Sequence, residues 1–297
     1  MASSTVERPA VTSTASSAAR TRRRYLTWLT QGILVTILTI LLLLSFLTIA
    51  LMIFLSLKDN GQIFGRFWSL PDPVRWENYK TGWIGMRRYI FNTLWYSLVS
   101  VVLVVALSSF SGYVFARHKF PGKEVIYVVI LALLMIPGIL TLIPAFVLVS
   151  QLGLLNTPWA LILPWTAGGQ IFGILLCRSF FATLPQDLFD AAKVDGASEF
   201  EQYFRIALPL SWPILVTLAI MHLVGSYNDF IWPLLTITDE NIQVVTVGLT
   251  RFQSEFGAVA YGPQMAAYAV ASIPLVILFA FGMRFYVRGL TSGAVKG

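Results

Sequence analysis

Residues 184–209 read Leu184-Pro185-Gln186-Asp187-Leu188-Phe189-Asp190-Ala191-Ala192-Lys193-Val194-Asp195-Gly196-Ala197-Ser198-Glu199-Phe200-Glu201-Gln202-Tyr203-Phe204-Arg205-Ile206-Ala207-Leu208-Pro209. Local signals divide this polar stretch, set between two apolar runs, into helix, turn and helix. Pro185 suits a first helical turn, where its missing N–H would be unpaired anyway. Good helix formers follow through Val194, and Gly196 can take the left-handed conformation that ends a helix. Ser198 and Glu201 have the spacing of a capping box, so a second helix starts there. Phe200 and Phe204 are one turn apart and share a face. Pro209 disfavours helical geometry at Leu208 and closes the unit. Small residues at the joint, Ala191, Ala192, Gly196 and Ala197, let another surface approach the backbone. From the residues alone the unit reads either as a surface hairpin joining two spans or as a docking knob.

The surrounding chain is that of a membrane protein. Of 297 residues, 57% are hydrophobic and only 12% charged, against about 25% charged in a soluble domain. That excludes an ordinary soluble domain. The net charge of +7 comes from basic residues that flank apolar runs and form no single patch, so no nucleic-acid partner is expected. The one cysteine, Cys177, excludes a disulfide framework or a cysteine metal site within the chain. It reads as a small buried residue.

Six apolar spans are expected: 33–55, 92–116, 125–149, 159–177, 211–235 and 265–285. Pro137, Gly138 and Pro144 mark kinks in the third, and Gly168 and Gly169 interrupt the fourth. Segments 56–88 and 236–262 are external loops. Residues 1–30 are expected to be a disordered cytoplasmic tail, 31–288 a six-span domain with the polar loop at 180–209, and 289–297 a cytoplasmic C-terminal tail. An Arg/Ser-rich start also resembles a transit peptide, although nothing downstream requires one. Fourteen of the twenty-one Lys and Arg residues fall in the tails and the loops assigned inside. This bias puts both termini and the 180–209 loop in the cytoplasm. The first external loop carries six basic residues and weakens the bias.

The 190–213 region resembles the "EAA" signature of ABC importer permeases. The resemblance rests on Asp190-Ala191-Ala192, Asp195-Gly196-Ala197, Phe204, Ile206, Leu208-Pro209 and Pro213. Asp190 stands where the signature usually opens with glutamate. Ala116-Arg117 with Phe120-Pro121-Gly122, Leu152 to Thr157, Tyr227 to Phe230 with Trp232-Pro233-Leu234, and Gly289 to Gly297 extend it toward maltose-type carbohydrate importers. The resemblance implies an all-α polytopic fold with six transmembrane helices and a cytoplasmic helix-turn-helix coupling loop. The chain would be the permease subunit of an ATP-driven importer moving a sugar, oligosaccharide or similar polyol across the bacterial plasma (inner) membrane. Asp190, Ala191, Ala192, Asp195, Gly196, Ala197, Phe200 and Phe204 would dock on an ATPase subunit. Ser292, Gly293 and Lys296 of the tail would reach the ATPase interface. Implied partners are a second homologous permease, two ATPase subunits, an external sugar-binding protein and membrane lipid. ATP and Mg would sit on the ATPases, with no cofactor or metal on this chain.

The residues themselves carry little catalytic chemistry. No G-x-x-x-x-G-K-[ST] phosphate loop is present, so the chain is not expected to hydrolyse ATP. The two histidines, His118 and His222, form no metal-ligand pair. His118 reads as a solvated residue of a basic turn, and His222 as either a hydrogen-bonded packing residue or a path-facing one. Asn228 and Asp229 lie within an apolar span, where a carboxylate seldom faces lipid. They either line a translocation path or brace neighbouring helices near the outer face. Tryptophans at span ends fit an interfacial belt. An ion-coupled secondary transporter is the alternative, but inverted repeats and paired acids are not evident. Neither a His/Asp/Glu cluster of a membrane enzyme nor a signalling domain is visible.

Overall fold

The computed structural model describes residues 14–255 and 260–294. Among the described residues all regular structure is helical. The chain divides into two units after Phe54.

Helix α1 (Thr14–Ser56) forms the first unit as far as Phe54, and its last two residues belong to the second. It begins within the stretch expected to be a tail, and residues 1–13 lie outside the described residues. Four of its hydroxyls bond within the helix: Thr36, Thr39, Ser45 and Thr48 each donate to the carbonyl four residues earlier. Polar groups paired inside their own helix are what the bilayer interior admits.

The second unit contains α2 (Asn60–Gly65), α3 (Glu77–Arg117), α4 (Lys123–Ala132), α5 (Gly138–Gln151), α6 (Trp159–Phe181), α7 (Gln186–Val194), α8 (Glu199–Gln202), α9 (Leu208–Leu210), α10 (Trp212–Asn228), α11 (Ile231–Thr236), α12 (Val245–Glu255) and α13 (Tyr261–Ala294). Helix α3 is the axis, packed by α6, α13, α10 and α12. Small residues set these close approaches. A Cβ on Gly82 would lie 2.9 Å from the Ala267 nitrogen of α13, and one on Gly112 would lie 2.5 Å from Cys177 Cβ of α6. Small-on-small contacts are how helices pack in lipid, where apolar burial alone gives no preference for neighbours. A buried polar seam crosses the same surfaces: Ser100 with Thr166, Ser108 with Gln170, and Ser109 with Tyr203.

By length and composition four helices among the described residues can cross a membrane, or six if each of two bent pairs counts as one span. The third span breaks by 102° between Met135 and Gly138, where Pro137 takes an extended ψ of 128°. The expected interruption of the fourth span does not occur. Helix α6 runs through Gly168 and Gly169, and Gly169 serves close packing instead, beneath Val104 and His222.

The expected external loops are shorter than the sequence suggests. Helix α3 starts at Glu77, so Lys80, Arg87 and Arg88 belong to its first turns. Packing of Gly82, Met86 and Ile90 on α13 and α12 extends the helix past the apolar run. Several cations of the first expected external loop are tied down structurally. Lys58 is buried and its Nζ donates to the Arg66 and Phe67 carbonyls. Arg75 pairs with Asp59 at 3.0 Å. The Gln62 N–H, then the Arg75 guanidinium, hold the Asp59 carboxyl below its usual range. The second loop holds α12, with Val244, Val245 and Val247 buried, and Thr93 Oγ1 accepts the Val245 N–H at 2.8 Å.

Candidate functional site

The 184–209 stretch forms the unit that its local signals describe, with two adjustments. Pro185 sits just outside α7, at the N-cap with ψ 133°. Leu208 is helical despite the following Pro209, because a wide π-type turn at Tyr203–Ala207 precedes it. The chain bends by 73° at Ser211 instead. Gly196 has φ +83°. Its N–H reaches the Lys193 carbonyl at 3.1 Å, and the Ala197 N–H reaches the Ala192 carbonyl at 2.9 Å. These paired bonds are the Schellman closure that glycine favours. The Ser198–Glu201 capping box is complete.

Docking of this unit onto the membrane helices uses residues that sequence reasoning did not single out. Phe189 is buried with Tyr113, Phe181 and Tyr203. Arg117, at the end of α3, stacks over the Phe189 ring with its guanidinium carbon 4.0 Å from the centroid. The same guanidinium donates to the Leu184 carbonyl at 2.7 Å and to Gln186 Oε1 at 2.8 Å. Gln202 is buried and its amide donates to the Ala197 carbonyl, closing the turn from within. The signal in sequence was the spacing of Phe189 opposite the polar face of α7.

The outward surface is different. Asp190, Ala191, Asp195 and Gly196 are exposed, and Ala192 and Ala197 are half-buried. Asp190 accepts from the Gln186 amide at 2.9 Å. Val194 is 88% exposed on the last turn of α7. Phe200 and Phe204 are also exposed, but Phe200 stacks on Phe110 at 6.3 Å while Phe204 meets Tyr203. Phe110 and Tyr203 meet edge to face at 5.6 Å, so Phe200 and Phe204 border one aromatic cluster. Of the C-terminal candidates, Ser292 and Gly293 fall in the last turns of α13 with their side chains outside the description, and Lys296 lies outside the described residues.

At the far end of α10 the expected fifth span stops early. The helix ends at Asn228, and Asp229, with ψ 127°, separates it from α11. Asn228 is exposed and its amide donates to the Val224 carbonyl. Asp229 Oδ2 accepts the Trp165 indole N–H at 2.7 Å, and its carbonyl accepts from Thr246. His222 Nε2 meets Ser100 Oγ at 2.8 Å. Asp229 and His222 both line a cavity of about 490 Å³ between α6 and α10. Asp229 and His222 thus face the cavity and brace neighbouring helices at once.

Residues 105–292 match the family described as the binding-protein-dependent transport system inner membrane component. The chain belongs to that family. Like the other members, it is a transport component, a permease of an ABC importer set in the inner membrane. It is 35% identical to the probable ABC transporter permease protein YurM of Bacillus subtilis, over 83% of this chain and 82% of that one. It is 33% identical to the diacetylchitobiose uptake system permease protein NgcG of Streptomyces coelicolor, over 81% of each. With the trehalose/maltose transport system permease protein MalG of Thermococcus litoralis it shares 35% identity over 70% of this chain and 75% of that one. The fold matches a chain from the crystal structure of a bacterial ABC transporter involved in the import of the acidic polysaccharide alginate, with a TM-score of 0.78 and 18% identity, covering 89% and 98% of the two chains. The fold is thus that of an ABC importer permease, and membership in this family leaves the ion-coupled alternative without support.

Proposed function

We propose that this permease imports a sugar or oligosaccharide, driven by ATP hydrolysis on separate subunits. The diacetylchitobiose and trehalose/maltose systems to which the NgcG and MalG relatives belong support the substrate class. The observation that carries the coupling role is the two-sided unit at 184–209. Phe189, Arg117 and Tyr203 fasten its inner side to α3, while Val194, Asp190, Ala191 and Gly196 face outward. A rigid knob fixed to the spans and bare on its other side is suited to receive an ATPase subunit. In this reading the spans couple a second homologous permease, two ATPases holding ATP and Mg, and an external binding protein. Both termini and the 184–209 unit lie in the cytoplasm, and the tail residues Ser292, Gly293 and Lys296 reach the ATPase interface. The chain itself holds no cofactor. ATP-driven closure of the ATPases moves the knob, and a contact there shifts the spans only if it favours one state over the other.

The test is purification from native membranes in mild detergent through a C-terminal tag on a flexible linker. Co-purification of an ATPase and a second permease is the expected result. A chain that purifies alone and moves sugar without ATP contradicts the proposal.

A further inference from the structure

The cavity between α6 and α10 has a composition that the coupling role does not use. Its walls are mostly apolar, with Trp165, Phe172 and Met221, and its polar atoms come from His222, Ser226 and Asp229. At about 490 Å³ it falls within the roughly 300–1,000 Å³ of small-molecule pockets, which combine apolar walls with a few placed polar groups. Glycine leaves room inside it. Added Cβ atoms at Gly168 and Gly225 would meet nothing within 4 Å, whereas one at Gly169 would press against the His222 ring at 2.8 Å.

The charge balance of this cavity is one-sided. Asp229 spends Oδ2 on the Trp165 N–H, which leaves Oδ1 as an acceptor for a ligand. None of the ion pairs among the described residues includes Asp229. His222 spends Nε2 on Ser100, so Nδ1 is the ring nitrogen left for a ligand. A carboxylate oxygen and an imidazole nitrogen beside aromatic walls suit the hydroxyls and the apolar ring face of a pyranose. The same carboxylate repels a ligand that carries its own carboxylate, and at an effective dielectric of about 20 that repulsion is large at contact distance.

We propose that this cavity is a subsite for neutral saccharides and that Asp229 excludes acidic ones from it. The inference rests on the sugar-import reading and refines its substrate class. Trp165 is a positioning residue, since its indole N–H fixes which carboxylate oxygen faces the cavity.

The test uses the complete transporter in membranes with Gly225→Cys, one helical turn before Asp229. The unsubstituted chain, whose Cys177 is buried, gives the background. Modification is timed with a cationic and an anionic methanethiosulfonate reagent, alone and with maltose, diacetylchitobiose or digalacturonate. The cationic reagent should gain about tenfold over the anionic one, and Asp229→Asn, which keeps an acceptor for Trp165, should remove that gain. At least one neutral sugar should slow modification while digalacturonate does not, until Asp229→Asn lets it. An unchanged reagent ratio in Asp229→Asn, equal slowing by both sugar classes, or no slowing by any sugar overturns the proposal. ATP-driven uptake by the unsubstituted transporter is measured in parallel. Its absence would refute the import reading, separately from the subsite.

Discussion

The 184–209 unit and the cavity lie at opposite ends of α10 and are built in different ways. The unit at 184–209 is assembled from neighbours in sequence: a proline at its entry, a glycine at its turn and a capping box at its second start. The cavity is assembled from residues far apart. His222 meets Ser100, and Asp229 meets Trp165, across 122 and 64 residues. The first region is held rigid by backbone closure and a buried phenylalanine, and its outer side is left bare. The second is held by single polar contacts around open space. This contrast suits a part that must carry a push without deforming and a part that must open.

The largest expected effect tests the rigid side. Phe189→Ala empties a buried site, which costs about 3–5 kcal/mol. ATPase co-purification and coupled transport should both be lost while the spans still insert, as read by membrane fractionation. Retention of the ATPase would mean that α7 does not need its inner anchor. Next is Gly196→Val. No neighbour blocks the added side chain, so the effect comes from forcing a β-branched residue to φ +83°, about 1–2 kcal/mol or more. Uptake should fall at least tenfold, with Gly196→Asn retaining more of it because asparagine tolerates that backbone. Equal activity of the two variants would remove the backbone argument.

Arg117→Lys sharpens the comparison further. Lysine keeps the charge but cannot hold the Leu184 carbonyl, the Gln186 side chain and the Phe189 ring together. A drop of several-fold in coupled transport is expected, read against unchanged membrane levels. The smallest effect is Ser198→Ala, which removes the capping box at a cost of about 1 kcal/mol. Faster proteolytic cleavage between Gly196 and Phe200 should accompany near-normal transport.

How much of this was legible in the sequence follows the same division. Gly196, Ser198 and Glu201 act through their own backbone, so the helix–turn–helix could be read directly. Leu208 could not, because the π-type turn before it overrides the local effect of Pro209. The start of α3 at Glu77 was hidden since Gly82, Met86 and Ile90 are helical through their packing on α13 and α12. The break at Asp229 was hidden too: its ψ of 127° goes with contacts to Trp165 and Thr246 that no local pattern encodes. Asp229 itself was visible as an acid within an apolar run, but its cavity was not. Phe189 is marked in sequence by its place opposite the polar face of α7, but its partners Tyr113 and Arg117 are set by docking and could not be read.

The central claim is that the bare side of the 184–209 unit receives the ATPase. Val194 projects from that side, and the native Cys177 is buried. Val194→Cys in the complete transporter, treated with a short bifunctional thiol-to-amine cross-linker, tests the contact directly. The expected result is a cross-link to the ATPase subunit whose yield changes with bound nucleotide. A cysteine there that reacts freely with soluble maleimide in the assembled complex, and joins no ATPase in any nucleotide state, would contradict the account.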